Sequence, residues 1–252
     1  MERPADDAMF QRLLADAGVE PGMRVLDVGC GGGDVSLLVA RRVGASGTVV
    51  GIDRSARAIA MARRRVTELG QPNLRFEEAD LLALDPALGL FDAVVGRRVL
   101  MYVPEPALAL RRLSEHLHPG GIMAFSEVDA TMPPTSTVPL PLHERVRGWL
   151  WATAVESGAD PHLGLRLFAV LEAAGLAAPS VRAEAIVHTP DDRPPTAEIV
   201  AAMLPRMLEL GIVDEAEVEL GTLDQRLGDE LARARASYVG ELSILAWARR
   251  PA

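Results

Sequence analysis

The chain contains no lysine, a single cysteine and only 4% aromatic residues. Without lysine, a phosphate loop ending in Gly-Lys-Ser/Thr is excluded. With Cys30 alone, no intramolecular disulfide can form, and a reducing compartment is the simple inference. No apolar run approaches the length that spans a membrane. Met1–Asp7 is polar and lacks the apolar core of a secretory leader, which predicts a cytoplasmic protein with no membrane partner. Metal-ligand spacing is also missing: the five histidines are scattered and no His-Glu-x-x-His occurs. Basic charge is short too. The 26 arginines face 35 acids, giving a net charge of −9 and a pI near 5.1, which argues against a nucleic-acid partner. What is present is length and apolar content, 252 residues at 49% hydrophobic, enough for one large α/β domain with an inserted cap.

One stretch organises the rest: Arg24-Val25-Leu26-Asp27-Val28-Gly29-Cys30-Gly31-Gly32-Gly33-Asp34-Val35-Ser36. Arg24–Val28 is short, apolar and β-branched, as a buried parallel strand should be. The glycines permit a tight reversal and bring bare amides near a ligand. Val35, Leu38, Val39 and Val43 then carry a helical period, with Asp34 or Ser36 as its cap. A strand feeding such a turn places a nucleotide-like ligand at the carboxyl edge of the sheet. The dinucleotide pattern Gly-x-Gly-x-x-Gly fails here, because its last position is Asp34. Asp27 sits just before the turn, where a carboxylate suits a cationic or amino-bearing ligand better than a pyrophosphate.

Leu-Asp-Val-Gly-Cys-Gly-Gly-Gly closely resembles the first motif of the class I S-adenosylmethionine-dependent methyltransferases. The resemblance implies a doubly wound, Rossmann-like sheet of about seven strands with the last strand antiparallel, plus a helical cap. It implies S-adenosylmethionine as cofactor, with Asp27, Gly29, Cys30 and Gly31 in its site. A helix over Ala8–Ala17, capped by Asp7, precedes the first strand and either covers the cofactor or packs on the sheet.

The later residues extend the match. The second strand ends at Asp53, 53 − 29 = 24 positions after the first turn glycine, close to the spacing that puts an acid on ribose hydroxyls. Asp53 is otherwise an N-cap, a role Ser55 can fill instead. Arg54 lines the ribose or adenine edge through its backbone. The helix Ala56–Leu69 follows, its Arg63-Arg64-Arg65 run forming a solvated face. After the third strand, Ala79-Asp80-Leu81 corresponds to the family's adenine site, an acid accepting from the exocyclic amine and a backbone amide donating to the ring. The alternative for Asp80 is a turn acid. The fourth strand, Phe91–Gly96, runs into Arg97 and Arg98, at the edge that in this fold faces the methionine half of the cofactor. Arg97 is assigned to the cofactor and Arg98 to a carboxylate or phosphate of the acceptor; alternatively both pair with nearby acids. Pro104 opens a helix, and Leu-His-Pro-Gly-Gly precedes the fifth strand, as in the family. Glu127 and Asp129 end that strand at the edge where they would touch the acceptor.

Ala130–Leu142 is a proline-rich loop, and His143–Glu156 an amphipathic helix with Trp149 and Trp151, which either line an apolar acceptor pocket or pack inward. His162 lies near the start of the helix Leu163–Ala174, as a candidate catalytic base and acceptor contact or as a histidine without chemical role. Ser180–His188 reads as the sixth strand, residues 194–211 and 214–236 as two further helices, and Glu241–Ala248 as the last strand. The whole is expected to be a single methyltransferase domain. Its core spans about 19–129 and 176–252, with cap insertions at about 130–160 and 194–236. The expected partner is a small, partly apolar acceptor; dimerisation is left open. Two other readings fit the motifs: an enzyme of this fold using the cofactor without methyl transfer, as in a cyclisation, and a regulatory protein with a vestigial site.

Overall fold

The computed structural model describes residues 4–191 and 194–252, so the first three residues of the polar Met1–Asp7 stretch lie outside it. In chain order the elements are α1 (Pro4–Ala17), β1 (Arg24–Val28), α2 (Asp34–Val43), β2 (Thr48–Asp53), α3 (Ala56–Leu69), β3 (Leu74–Glu78), β4 (Phe91–Arg97), α4 (Pro106–Glu115) and β5 (Leu117–Asp129). They continue as β6 (Thr135–Ser136), α5 (Pro141–Glu156), α6 (Leu163–Ala173), β7 (Ala177–Glu184), β8 (Val187–His188), α7 (Thr196–Glu209), α8 (Glu215–Val218), α9 (Leu220–Ala234), β9 (Tyr238–Val239) and β10 (Leu242–Arg249). The chain divides into two compact units. One holds the chain up to Val128 with Leu163–Glu184 and Ser243–Ala252; the other holds Asp129–His162 and Ala185–Leu242.

The first unit carries a seven-stranded sheet in the order β3-β2-β1-β4-β5-β10-β7. Strands β1 to β5 pair in parallel, and β10 runs antiparallel to β7. The order reverses between β1 and β4, and the crevice at the carboxyl ends on either side of such a reversal is where open α/β sheets take ligands. Helix α1 presents Phe10, Leu13, Leu14 and Ala17 to the core, each at most 1% exposed. Burying each of its large side chains is worth roughly 1.5–3 kcal/mol, which anchors this helix despite its acidic first turn.

The second unit is a helical cluster with a three-stranded sheet, β6-β9-β8. Val146, Trp149, Val200, Met207, Val213, Val218, Leu223 and Leu227 form its core. Trp149 is one of these core side chains, only 7% exposed. The reason is helical phase: Val146, Trp149 and Thr153 share the buried stripe of α5, whereas Trp151 stands two residues away on another face. Its Nε1 donates to Glu241 Oε1 at 3.1 Å.

Several local expectations are corrected. Helix α1 begins at Pro4, so Asp7 lies within it rather than capping it. Neither Asp34 nor Ser36 caps α2. Gly33 does so in the left-handed conformation, while Asp34 pairs with Arg65 and Ser36 donates to Asp27. The arginine run of α3 is not simply solvated: Arg63 donates to the Phe76 carbonyl, and only Arg64 stays on the surface with Glu68. A 3-10 turn, Leu100–Tyr102, intervenes before α4, which starts at Pro106. The stretch Ser180–His188 breaks after Glu184, so Val187–His188 joins the second sheet. The long helix 214–236 is two helices, separated by Glu219 at φ 46°. Among the described residues no helix is long and apolar enough to cross a membrane, and no cluster of three or more His, Cys, Asp or Glu is placed to hold a metal ion.

Candidate cofactor site

The site starts from the turn after β1. Gly29 has φ 63°, and a Cβ there would lie 2.4 Å from Val99 Cγ2, so the turn needs both the left-handed backbone and the missing side chain. The Cys30 amide donates to the Ile52 carbonyl at 2.9 Å, and the Gly31 amide to Asp53 Oδ2 at 2.9 Å. Asp53 Oδ1 accepts from the Ser55 amide at 2.8 Å. The aspartate at the end of β2 thereby locks the glycine turn to the start of α3. Each carboxylate oxygen keeps a second lone pair for an outside donor. Ser55 caps α3, accepting from the Ala58 amide at 3.3 Å. Asp80 Oδ1 accepts from the Leu82 amide at 2.8 Å, an Asx turn that fixes the corner after β3.

These corners line one cleft of about 260 Å³. Its walls are Gly29, Ile52, Asp53 and Arg54 on one side, Ala79–Leu82 on another, and Arg98, Val99 and Tyr102–Pro104 on the third. The structure thus brings Gly29, Asp53, Arg54, Ala79, Asp80, Leu81 and Arg98 to a common cavity. Asp27, Cys30, Gly31 and Arg97 stand outside its lining. Tyr102 is the wall residue that the motif reading passed over. It ends the 3-10 turn Leu100–Tyr102, four residues after Arg98, and its ring is half-exposed.

Two fully buried carboxyls lie behind the walls. Asp27 Oδ2 accepts from Ser36 Oγ at 2.5 Å, while Oδ1 has no partner. Burial raises its pKa to about 7, against the opposing pull of Ser36 and of the Arg97 charge. Glu127 does not reach out to an acceptor. It is 0% exposed, and its Oε1 accepts from the Val99 and Leu100 amides at 3.0 and 2.9 Å. Burial raises it too, to about 7, with the Leu100, Val99 and Met101 amides and the Arg98 charge working the other way. Glu127 is therefore the peg that holds the turn carrying Arg98 and Tyr102. Asp129, likewise buried, accepts from the Thr131 amide at 2.8 Å. Cys30 is buried and its thiol is pushed up by desolvation, so it is inert packing at the turn.

Arg97 and Arg98 meet acids of α1. Arg97 Nη1 lies 3.0 Å from Asp7 Oδ1, with its guanidinium 5.7 Å from the Phe10 ring; Arg98 Nη2 lies 3.2 Å from Asp6 Oδ2. His162 belongs to the second unit. It is exposed, and its Nδ1 shares a 3.0 Å hydrogen bond with Thr131 Oγ1.

The donor set fits a nucleoside with a cationic tail. Asp53 and Asp80 suit hydroxyls and an exocyclic amine, and the buried Asp27 carboxyl beneath the glycine turn, whose Oδ1 has no partner, suits positive charge. A family profile described as "Methyltransferase domain" matches residues 19–158. The chain belongs to the class I S-adenosylmethionine-dependent methyltransferase family. Among its relatives is a ubiquinone biosynthesis O-methyltransferase of Paracidovorax citrulli, 35% identical over 130 residues, covering 50% of this chain and 53% of that protein. A trans-aconitate 2-methyltransferase of Deinococcus radiodurans is 38% identical over 121 residues, covering 48% and 42%. The chain spans about half the length of these curated relatives or less. The crystal structure of BH2331 from Bacillus halodurans C-125 superposes with a TM-score of 0.63 at 19% identity, covering 98% of this chain and all of that one, a likeness of fold. S-adenosylmethionine is the cofactor of the methyltransferase family.

Proposed function

We propose that this methyltransferase moves the methyl group of S-adenosylmethionine to a small, partly apolar acceptor. The observation that carries the reading is the common cleft of Asp53 and Asp80, beside the Gly29 turn at the reversal point of the sheet. In this reading Asp53 and Arg54 hold the ribose side, Ala79, Asp80 and Leu81 hold the adenine, and Gly29 and Gly31 approach the tail through bare backbone. Asp27 and Arg97 set the charge beneath it.

The cofactor supplies an electrophilic methyl on a sulfonium and leaves as a neutral thioether. The protein's task is to hold the acceptor in line and keep water out. A proton must be taken only where the attacking atom loses one, and His162 is the candidate for that role. The small acceptor is supported by the ubiquinone and trans-aconitate methyltransferases among the relatives. Its partly apolar character is supported by a hollow of about 320 Å³ within the second unit. Pro134, Val138, Pro139 and Leu140 line it together with Glu144 and Tyr238. Burial, reinforced by the Glu241 charge, raises the Tyr238 phenol to about 12, so it stays a hydrogen-bond donor at neutral pH.

Isothermal titration with S-adenosylmethionine tests the reading. Wild type should bind it, and Asp53→Asn and Asp80→Asn should each weaken binding by about 10-fold or more, the value of a charge-assisted hydrogen bond. Mass analysis of S-adenosylhomocysteine release over a panel of quinol, phenol and carboxylate acceptors then reads methyl transfer itself. Binding without release under every acceptor would favour the cyclase-like use of the cofactor. No binding at all would remove the reading.

A further inference from the structure

The arginines at the end of β4 do more than balance nearby acids. Arg98 and Arg54 are the arginines lining the cleft, and Arg54 directly follows Asp53 in the chain. The Arg98 backbone is left-handed, φ 56°, which a non-glycine residue adopts only when its surroundings impose it. Here the next two amides, of Val99 and Leu100, are pinned by Glu127. The guanidinium is thus held on a fixed turn at the cleft, about one-third exposed, and Asp6 engages it through one nitrogen. A guanidinium has five donors in a fork matched to a carboxylate. Asp7 engages Arg97 in parallel, and both acids belong to the first turn of α1. The remainder of α1 is anchored independently by Phe10, Leu13, Leu14 and Ala17. Its first turn can therefore open without unseating the helix, as helix ends do at low cost.

We propose that Arg98 receives the amino-acid carboxylate of S-adenosylmethionine, and that Asp6, supported by Asp7, is an internal carboxylate that competes for it. This commits Arg98 to the cofactor rather than the acceptor, and it rests on the cleft being the cofactor site. Three observations converge. The group that already engages Arg98 is a carboxylate, the same chemistry as the incoming one. Of the other charged side chains lining the cleft, Asp53 and Asp80 are acids suited to hydroxyls and amines and would repel that end of the ligand, and Arg54 adjoins Asp53 in sequence. The Asp6–Arg98 pair is partly exposed, and pairs of that kind are weak enough to exchange. Entry of the cofactor tail then releases the first turn of α1, and its departure lets the turn close again.

The consequence has an unusual sign: removing the acids should tighten binding. Titration compares S-adenosylhomocysteine with 5′-methylthioadenosine, which has the same nucleoside and thioether sulfur but no amino-acid part. Asp6→Asn/Asp7→Asn should bind S-adenosylhomocysteine about 1.5- to fivefold tighter than wild type, the range of a weak ion pair. Arg98→Met should bind it about 10-fold more weakly. Methylthioadenosine should bind all three proteins alike, which also reports that the variants are folded. Amide exchange at Ala8–Phe10 should rise with S-adenosylhomocysteine and not with methylthioadenosine. Weaker or unchanged S-adenosylhomocysteine binding in the double variant overturns the proposal, as does an equal shift for methylthioadenosine. Wild type that binds neither nucleoside overturns the cofactor site itself, whereas wild type that binds both, with no effect of the acids, overturns only the competition.

Discussion

Asp27 makes the fold measurably pH-dependent, and Asp27→Asn is the perturbation that isolates it. The side chain is 1% exposed and its ordinary pKa of 3.8 rises to about 7 in the folded protein. In the unfolded chain it ionises near 4, so between pH 4 and pH 7 the unfolded state gives up a proton that the folded state keeps. The group's contribution to stability is therefore fully present below about pH 4, is lost progressively as pH rises, and stays lost above about pH 7. With these two values, linkage puts the loss at about 2 kcal/mol by pH 5 and about 4 kcal/mol by pH 8. The change across that interval is thus roughly 2–3 kcal/mol. Asparagine keeps the shape and an oxygen for Ser36 Oγ but cannot ionise. Its cost, a donor placed where Oδ1 had no partner, is the same at every pH. Urea unfolding of wild type and Asp27→Asn at pH 5, 6, 7 and 8 reads the difference. The variant should gain on wild type by roughly 2–3 kcal/mol from pH 5 to pH 8, whatever its offset at pH 5. The other titrating groups cancel in the comparison. A gap that stays flat with pH would show that Asp27 ionises freely in the fold, and the account of it as a desolvated carboxyl beneath the turn would fail.

Other perturbations have definite expected outcomes. Gly29→Ala, at φ 63° and 2.4 Å from Val99 Cγ2, should cost about 2–3 kcal/mol in urea unfolding, and Val99→Ala in the same chain should recover only part of it, because the backbone strain remains. Glu127→Met, which removes the acceptor of the Val99 and Leu100 amides, should weaken S-adenosylhomocysteine binding by about 10-fold, while Glu127→Gln, which keeps that acceptor, should restore it. Trp149→Ala should destabilise the chain by about 3–5 kcal/mol in thermal or urea unfolding, and Trp151→Ala by much less. Glu230 is held below the usual carboxylate range by bonds from the His143 ring and the Leu142 and His143 amides, which outweigh its desolvation. Its stabilisation is present above the ordinary carboxylate pKa and is lost as pH falls through the lowered value, so Glu230→Gln should destabilise at pH 7 and cost less below pH 4.

How far the site was legible in the sequence depends on the range of the forces that made it. The glycine turn, Asp53 and Asp80 were readable because each is fixed by its own neighbours in the chain: a positive φ, an amide two residues on, a strand that ends there. Glu127 was misread because β5 is buried on both faces. Its run from Ile122 to Asp129 shows no alternation, so nothing local tells which way a given side chain points. The choice left open at Trp149, pocket wall or core, could be made from the sequence, since the signal was there. Two residues separate Trp149 from Trp151, about 200° around a helix, so the two rings cannot share one wall, and the stripe through Val146 and Thr153 selects Trp149 for the core.

The acids that meet Arg97 and Arg98 were out of reach altogether, because they lie 90 and 92 positions away and are brought to the arginines only when α1 docks through Phe10, Leu13 and Leu14. The local motif thus specifies the nucleoside end of the cleft, and long-range packing specifies the charged end. Variants that shift α1 without touching the motif, such as Leu13→Ala, should follow from this division. The 0% exposed leucine should cost about 2–5 kcal/mol. In the fraction that remains folded, affinity for S-adenosylhomocysteine should change while affinity for methylthioadenosine does not. If both ligands respond alike, the two ends of the cleft are built by the same packing, and the division fails.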